Sequence, residues 1–391
     1  MKRFTRLAGL IVVCACFGNV IAEILRSLRD AYNTDFLSSF YTAASMLRQG
    51  DHAIYCSSCL QAHAQQLFHA GSPIFGFQYD NPPLGAWLLQ PLTYMSPPWA
   101  LAVFLLVTSI AVGAAGWMLR DYVNRDPRRV LIRVLAFASL PAAMTFAFGQ
   151  WDGLLALAVS GAYVALQRDR QVLAGVLIAV LLLKPQLVWL VPILVVIAGS
   201  WRMLGGIIIG GFVWVLSSIA ILGWSDTYLW VRQISPNIVA RTGLSLPHML
   251  VSFGATSSIV VASSAALAAI VTVALIITRS WLRSLTRQEQ LSLGLLVSML
   301  AAPHLLSYDL IIVAPVIVLW AREQERHALA VALGFSVAFL IDTALPMSWA
   351  ILEGLALLSL AALYFYDLGS FSRTSTTTAP LESLSSSASG G

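Results

Sequence analysis

Hydrophobic positions in this chain come in long runs, with short polar breaks between them. From Leu7 to Tyr366 apolar stretches recur, separated by segments holding Arg, Asp, Gly and Pro, and about 20 apolar residues of helix are what a ~30 Å hydrocarbon core requires. The pattern predicts an all-α polytopic membrane protein of about twelve transmembrane helices. They fall near 8–25, 97–118, 131–148, 151–167, 171–183, 186–199, 203–223, 249–278, 290–302, 305–320, 327–344 and 349–366. Two runs need separate treatment. Pro82–Met95 is apolar but spans only ~21 Å as a helix, and Ser96-Pro97-Pro98 ends it; it reads as a re-entrant or interfacial helix. Gln171–Ser200 is long enough for one span, but Pro185 lacks a donor and clashes with the preceding turn, so two short helices should meet at Lys184-Pro185.

Between the first and second spans lies a long segment, 26–81. Within it Phe36, Phe40, Ala43, Ala44 and Leu47 follow the spacing of an amphipathic helix, expected to lie at the membrane surface with its polar start facing water. The first apolar run has no clear small-residue cleavage box, so it reads as a span rather than a removed signal. The membrane domain is thus 1–369, and the Ser/Thr/Gly-rich segment 370–391 reads as a disordered cytoplasmic tail.

Composition sharpens this picture. The chain has 391 residues, 58% hydrophobic and 10% charged, with a mean hydropathy of +0.80. Soluble domains carry about 25% charged residues, so an ordinary soluble enzyme is excluded, as is general disorder. The formal charge of +5 calls for no nucleic acid, because membrane proteins concentrate Lys and Arg on their cytoplasmic side. Of the 23 lysines and arginines, all but Arg26, Arg29, Arg48, Lys184, Arg232 and Arg241 fall on the side of the N-terminus. That asymmetry places both termini in the cytoplasm of a multi-pass protein of the cell inner or plasma membrane, and it also favours the break at Lys184.

The rare remaining charges gather on the outer face. Asp35 begins the 36–47 helix and reads either as its N-cap or as a general base at the water boundary. Asp80 precedes Asn81-Pro82-Pro83 and reads as a cap. Gly149-Gln150-Trp151-Asp152 turns between two spans, Lys184-Pro185 ends a hairpin, Arg232 and Arg241 lie in loop 224–248, and Pro303-His304 leads to Tyr308-Asp309. Charges at membrane depth cost about 2.5–3.5 kcal/mol on insertion scales, so such a gathering suggests function. Cys56-Ser57-Ser58-Cys59 sits where an oxidising compartment permits a local disulfide; with His63 and His69 it matches no strong zinc spacing. The chain has no phosphate loop, no G-x-S-x-G and no dinucleotide fingerprint, which argues against nucleotide-driven chemistry.

The order Asp35-Phe36, Phe40-Tyr41-x-Ala43-Ala44, Gly50, Tyr55, Tyr79-x-x-Pro82-Pro83-Leu84, Gly149-Gln150, Ala174-Gly175, Lys184-Pro185, Pro303-His304 and Tyr308-Asp309 resembles glycosyltransferase family 87, over roughly 30–320. The resemblance implies a GT-C-type fold and an inverting glycosyltransferase using a polyprenyl-phosphate sugar, usually mannose, as donor. It implies a lipid or glycan acceptor, with membrane lipids around the protein and no metal or other cofactor. Asp35 would then be the catalytic base, with His304 the second catalytic residue, and Lys184 and Arg241, joined by His304, would hold the lipid phosphate. Gln150, Asp152 and Tyr79 would bind sugar or acceptor. The competing readings are a transporter or flippase of a lipid-linked sugar, which should carry charges at the midplane, and an O-antigen ligase or polymerase-like enzyme using loop 224–248.

Overall fold

A computed structural model describes residues 2–68, 78–122, 126–233, 243–344 and 349–377, and every regular element among them is helical. Helix α1 (Lys2–Arg29) leads through a six-residue π-helical stretch, Phe36–Tyr41, into three short helices, α2 (Thr42–Arg48), α3 (Ser57–Phe68) and α4 (Pro83–Leu89). Then come α5 (Pro97–Met118), α6 (Pro127–Phe137), α7 (Leu140–Phe148), α8 (Asp152–Gln167), α9 (Gln171–Ala179), α10 (Val191–Ala198) and α11 (Trp201–Gln233). The chain continues with α12 (Leu246–Met249), α13 (Ser257–Ile277), α14 (Arg279–Ser284), α15 (Arg287–Leu300), α16 (Ala314–Trp320), α17 (Glu325–Ala344) and α18 (Trp349–Thr377).

Among the described residues four helical stretches are long and apolar enough to cross a membrane: Pro97–Tyr122, Pro127–Phe148, Trp201–Arg232 and Ser257–Ile277. Shorter apolar stretches cover Asp152–Gln167, Gln171–Leu183, Ser307–Trp320 and Gly354–Leu368. The expected break at Lys184-Pro185 is present: α9 tightens into a 3-10 turn at Val180–Leu183, and a second turn, Pro185–Leu187, precedes α10. Pro82–Met95 likewise forms no long helix, only α4 and a 3-10 turn, Gln90–Tyr94.

Three expectations need correction. The 36–47 segment does not lie on a surface, because every residue from Phe36 to Leu47 is buried. Its polar side can be buried because its hydroxyls are satisfied, as buried polar groups must be. Ser38 donates to the Thr34 carbonyl (2.7 Å), Ser39 to that of Gln78 (2.9 Å) and Thr42 to that of Leu37 (2.7 Å), while Ser45 pairs with His63 Nε2 (3.1 Å). Secondly, 224–248 is not a continuous loop. Gly223, at φ 80°, kinks α11, and the helix resumes as far as Gln233. Thirdly, helix α18 runs through 370 to Thr377. A Cys56–Cys59 disulfide closes the start of α3.

Helix α8 separates two ends of the molecule. At its start lies Asp152; near its finish Tyr163 bonds Ser292 of α15 (2.8 Å), and Gln288 reaches both Tyr122 and the Tyr163 carbonyl. Arginines assemble at this second end. Arg128 pairs with Glu325, Arg287 bonds Gln290 and Ser200, and Arg283 bonds the Ile197 carbonyl. Local sequence sets these helix starts: Thr286 and Glu289 form a reciprocal capping box on α15, and Asp126 caps α6.

Candidate active site

Asp35 follows a 3-10 turn, Ala31–Asn33, and opens the π-helical stretch. The cap comes from its neighbour. Thr34 Oγ1 accepts from the Leu37 amide at 3.4 Å, and Asp35 makes no side-chain capping bond. The half-buried Asp35 carboxylate instead accepts a 2.5 Å hydrogen bond at Oδ2 from Gln150 Nε2. This contact depends on Gly149. It ends α7 in the left-handed conformation at φ 64°, where glycine is favoured, and a Cβ there would stand 2.8 Å from Phe36 Cβ. The glycine therefore lets α7 close onto the π-helical stretch and aims Gln150 at Asp35. Aromatic packing holds the junction: Phe36 stacks on Phe104 at 4.4 Å, and Trp151 meets Phe40 at 5.1 Å and Phe104 at 5.6 Å.

Behind this pair lies a buried charge cluster. Lys184 Nζ donates to Asp152 Oδ2 at 2.7 Å and to Asp309 Oδ1 at 2.8 Å, and it sits 4.2 Å from the centre of the Tyr308 ring. All three charged residues are nearly inaccessible: Lys184 is 7% exposed, Asp152 0% and Asp309 1%. A buried cation is tolerable only when paired, and the two carboxylates meet that condition. Asp309 also accepts from the Leu306 amide at 2.8 Å, so it caps its turn and binds Lys184 at once. Lys184 is thus enclosed by protein, and a phosphate reaching it would have to displace a carboxylate.

Tyr308 joins the two groups, lying within electrostatic reach of Asp35, Asp80, Asp152 and Asp309. Crowding by protein atoms, then the charge of Asp35, push the Asp80 carboxyl up to about 6. Asp80 keeps an open face, so hydration moderates the rise. Tyr79 is buried, packs on Tyr55 at 5.8 Å, and gives its hydroxyl to the Pro82 carbonyl at 2.9 Å; it shapes the 79–82 turn. The His304 ring lies 5.1 Å from that of His248, whose Nδ1 accepts from the Leu305 amide at 3.4 Å. Leu244 and Ser245 hold the same turn through the carbonyls of Leu305 and Ala302. Arg241 lies outside the described residues. Among the described residues Gln150 Oε1 and Asp152 Oδ1 are buried with no hydrogen-bond partner, and no three His, Cys, Asp or Glu side chains form a group that could hold a metal ion.

The sequence points to Asp35, Gln150, Asp152 and Lys184, reads Asp80 as a cap, and offers Asp309 and Tyr308 only as part of a motif. A cue for Asp309 existed. An acid at membrane depth needs a partner, and Lys184 is the sole lysine besides Lys2.

Compared with known protein families, residues 79–307, more than half of the chain, match the model of Glycosyltransferase family 87. The match begins after Asp35. No curated protein and no solved structure matches the chain.

Proposed function

We propose, from the premise that this chain belongs to glycosyltransferase family 87, that it is an inverting transferase of the GT-C type. In this reading it moves a sugar, mannose by preference, from a polyprenyl-phosphate donor to a lipid or glycan hydroxyl at the outer face of the membrane. The reading is carried by Asp35: a carboxylate relieved of capping by Thr34 and oriented by Gln150, at the edge of a water-poor cluster.

In the proposed step the acceptor oxygen attacks the anomeric carbon as the bond from that carbon to the phosphate oxygen breaks. The proton of the acceptor hydroxyl passes to Asp35, and the prenyl phosphate leaves as an anion. Gln150 fixes one carboxylate oxygen, and its own Oε1, unpartnered among the described residues, is placed to accept from a sugar hydroxyl. Lys184 acts indirectly in this scheme. Its charge is committed to Asp152 and Asp309, so it locks the turn bearing Tyr308 and His304 while Arg241 and His304 serve the phosphate. Neither a metal nor another cofactor enters the step.

The test is transfer itself. Purified protein incubated with labelled prenyl-phosphate sugars and a membrane-lipid extract should produce a labelled acceptor, and Asp35→Asn should fold normally while losing at least about a hundredfold in rate, the usual contribution of a general base. Undiminished transfer by Asp35→Asn would remove the base from Asp35.

A further inference from the structure

A cleft runs along the far side of α4. Gly85 of that helix packs on Tyr79 and Trp151, next to the candidate site, while Trp87 is 49% exposed on the other side. There α4 and α11 enclose a cleft of about 480 Å3, walled by Leu47, Leu84, Trp87, Ala220 and Ile221. Phe212, Val213 and Leu216 leave the adjoining face of α11 apolar and exposed, so the cleft opens towards the hydrocarbon around that helix.

Part of its lining is polar, at His52, Gln90 and Ser217. His52 lines the cleft and also a second cavity of about 280 Å3, shared with Tyr55 and Asp226. That cavity abuts the candidate site: Tyr55 donates to the Asn81 carbonyl at 2.9 Å, and Trp230 of α11 donates to the Asp80 carbonyl at 3.0 Å. Among the described residues no lysine or arginine lines either cavity. A lipid phosphate there would meet the Asp226 carboxylate, and no described lining residue offers a cation to offset the repulsion. A neutral, hydroxyl-bearing head meets acceptors and donors that suit it.

The geometry points to this cleft as the seat of the acceptor: a membrane lipid with a neutral, hydroxyl-rich head, its hydrocarbon chain between α4 and α11 and its head at His52, Tyr55 and Asp226. The inference rests on the transferase reading and narrows it, because it selects a lipid-anchored acceptor over a free glycan and leaves the anionic donor to another path. Apolar chain burial supplies the affinity, and the polar head presents a hydroxyl beside Asp80, on the way to Asp35.

Photolabelling tests it without requiring transfer. The full-length protein in lipid nanodiscs is irradiated with a monoglycosyl diacylglycerol bearing a diazirine in one acyl chain, and labelled peptides are mapped by mass spectrometry. Label should concentrate in the peptides containing 84–90 and 217–221, excess unlabelled glycolipid should suppress it, and excess isoprenyl phosphate should not. Ala220→Trp, at an exposed position of α11, should reduce labelling about tenfold, equivalent to ~1.4 kcal/mol of binding. Displacement by isoprenyl phosphate would assign the cleft to the donor, and label spread evenly over the lipid-facing surface would abolish the site. The competition on the unaltered protein stands even if Ala220→Trp misfolds. Specific labelling without any sugar transfer would strike the proposed reaction and leave this site intact.

Discussion

Lys184 has a different meaning once its neighbours are known. Held by Asp152 and Asp309 at 2.7 and 2.8 Å, it joins turns that lie 32 and 125 residues away in sequence. Removing one partner of a buried pair costs about 3–5 kcal/mol, because it strands uncompensated charge. Lys184→Met should therefore lower the thermal midpoint sharply, and neutralising Asp152 and Asp309 to Asn in the same protein should restore part of it. An unchanged midpoint in Lys184→Met would mean that the pair does not form. Asp80 gives a second test at this scale. Its carboxyl is raised to about 6 in the fold against ~3.9 in an unfolded chain, so the folded state holds the extra proton between those values. Stability should fall as pH rises through that window. Asp80→Asn should flatten this part of a plot of melting temperature against pH; an identical slope in the variant would assign the dependence elsewhere.

Among the elements, the tightest fit is between α9 and α11. A Cβ on Gly206 would collide with the Val172 carbonyl, and one on Gly175 with the Met203 carbonyl; one turn further on, Gly210 lies against Ala179. Small residues four apart on both helices let the backbones touch, the arrangement by which helices associate where lipid removes the hydrophobic drive. Gly206→Val should cost about 1–3 kcal/mol through overpacking, seen as a lower melting temperature and loss of monodisperse protein. Gly205→Val is the internal control, since a Cβ there meets nothing within 4 Å. Equal behaviour of the two variants would contradict the crossing. Because α9 leads directly to Lys184, its seating on α11 also sets where that ammonium lies.

Across the whole molecule the two ends of α8 differ in kind: carboxylates, an amide and aromatic rings at one, arginines at the other. If the arginine end faces the cytoplasm, as positive charge retention predicts, a membrane-impermeant maleimide should label Gln66→Cys in intact cells and reach Arg168→Cys only after permeabilisation. Both positions are exposed, and the reverse pattern would invert the topology and the proposed outer-face reaction with it. Much of this molecule is legible in sequence. Apolar runs, Pro185, the turn glycine Gly149 and the capping box at Thr286 act on neighbours within a few residues, so they fix helices, breaks and class without reference to the rest of the chain. The family pattern is readable for the same reason. Which charges pair is a different matter. Asp35 and Gln150 are 115 residues apart, and whether Asp35 caps its helix was decided by Thr34 taking that bond. The buried polar side of 36–47 and the enclosure of Lys184 depend equally on remote partners that satisfy hydroxyls and charges. Desolvation and hydrogen bonding are set by what surrounds a group in space, and for these residues only the tertiary structure supplies the surroundings.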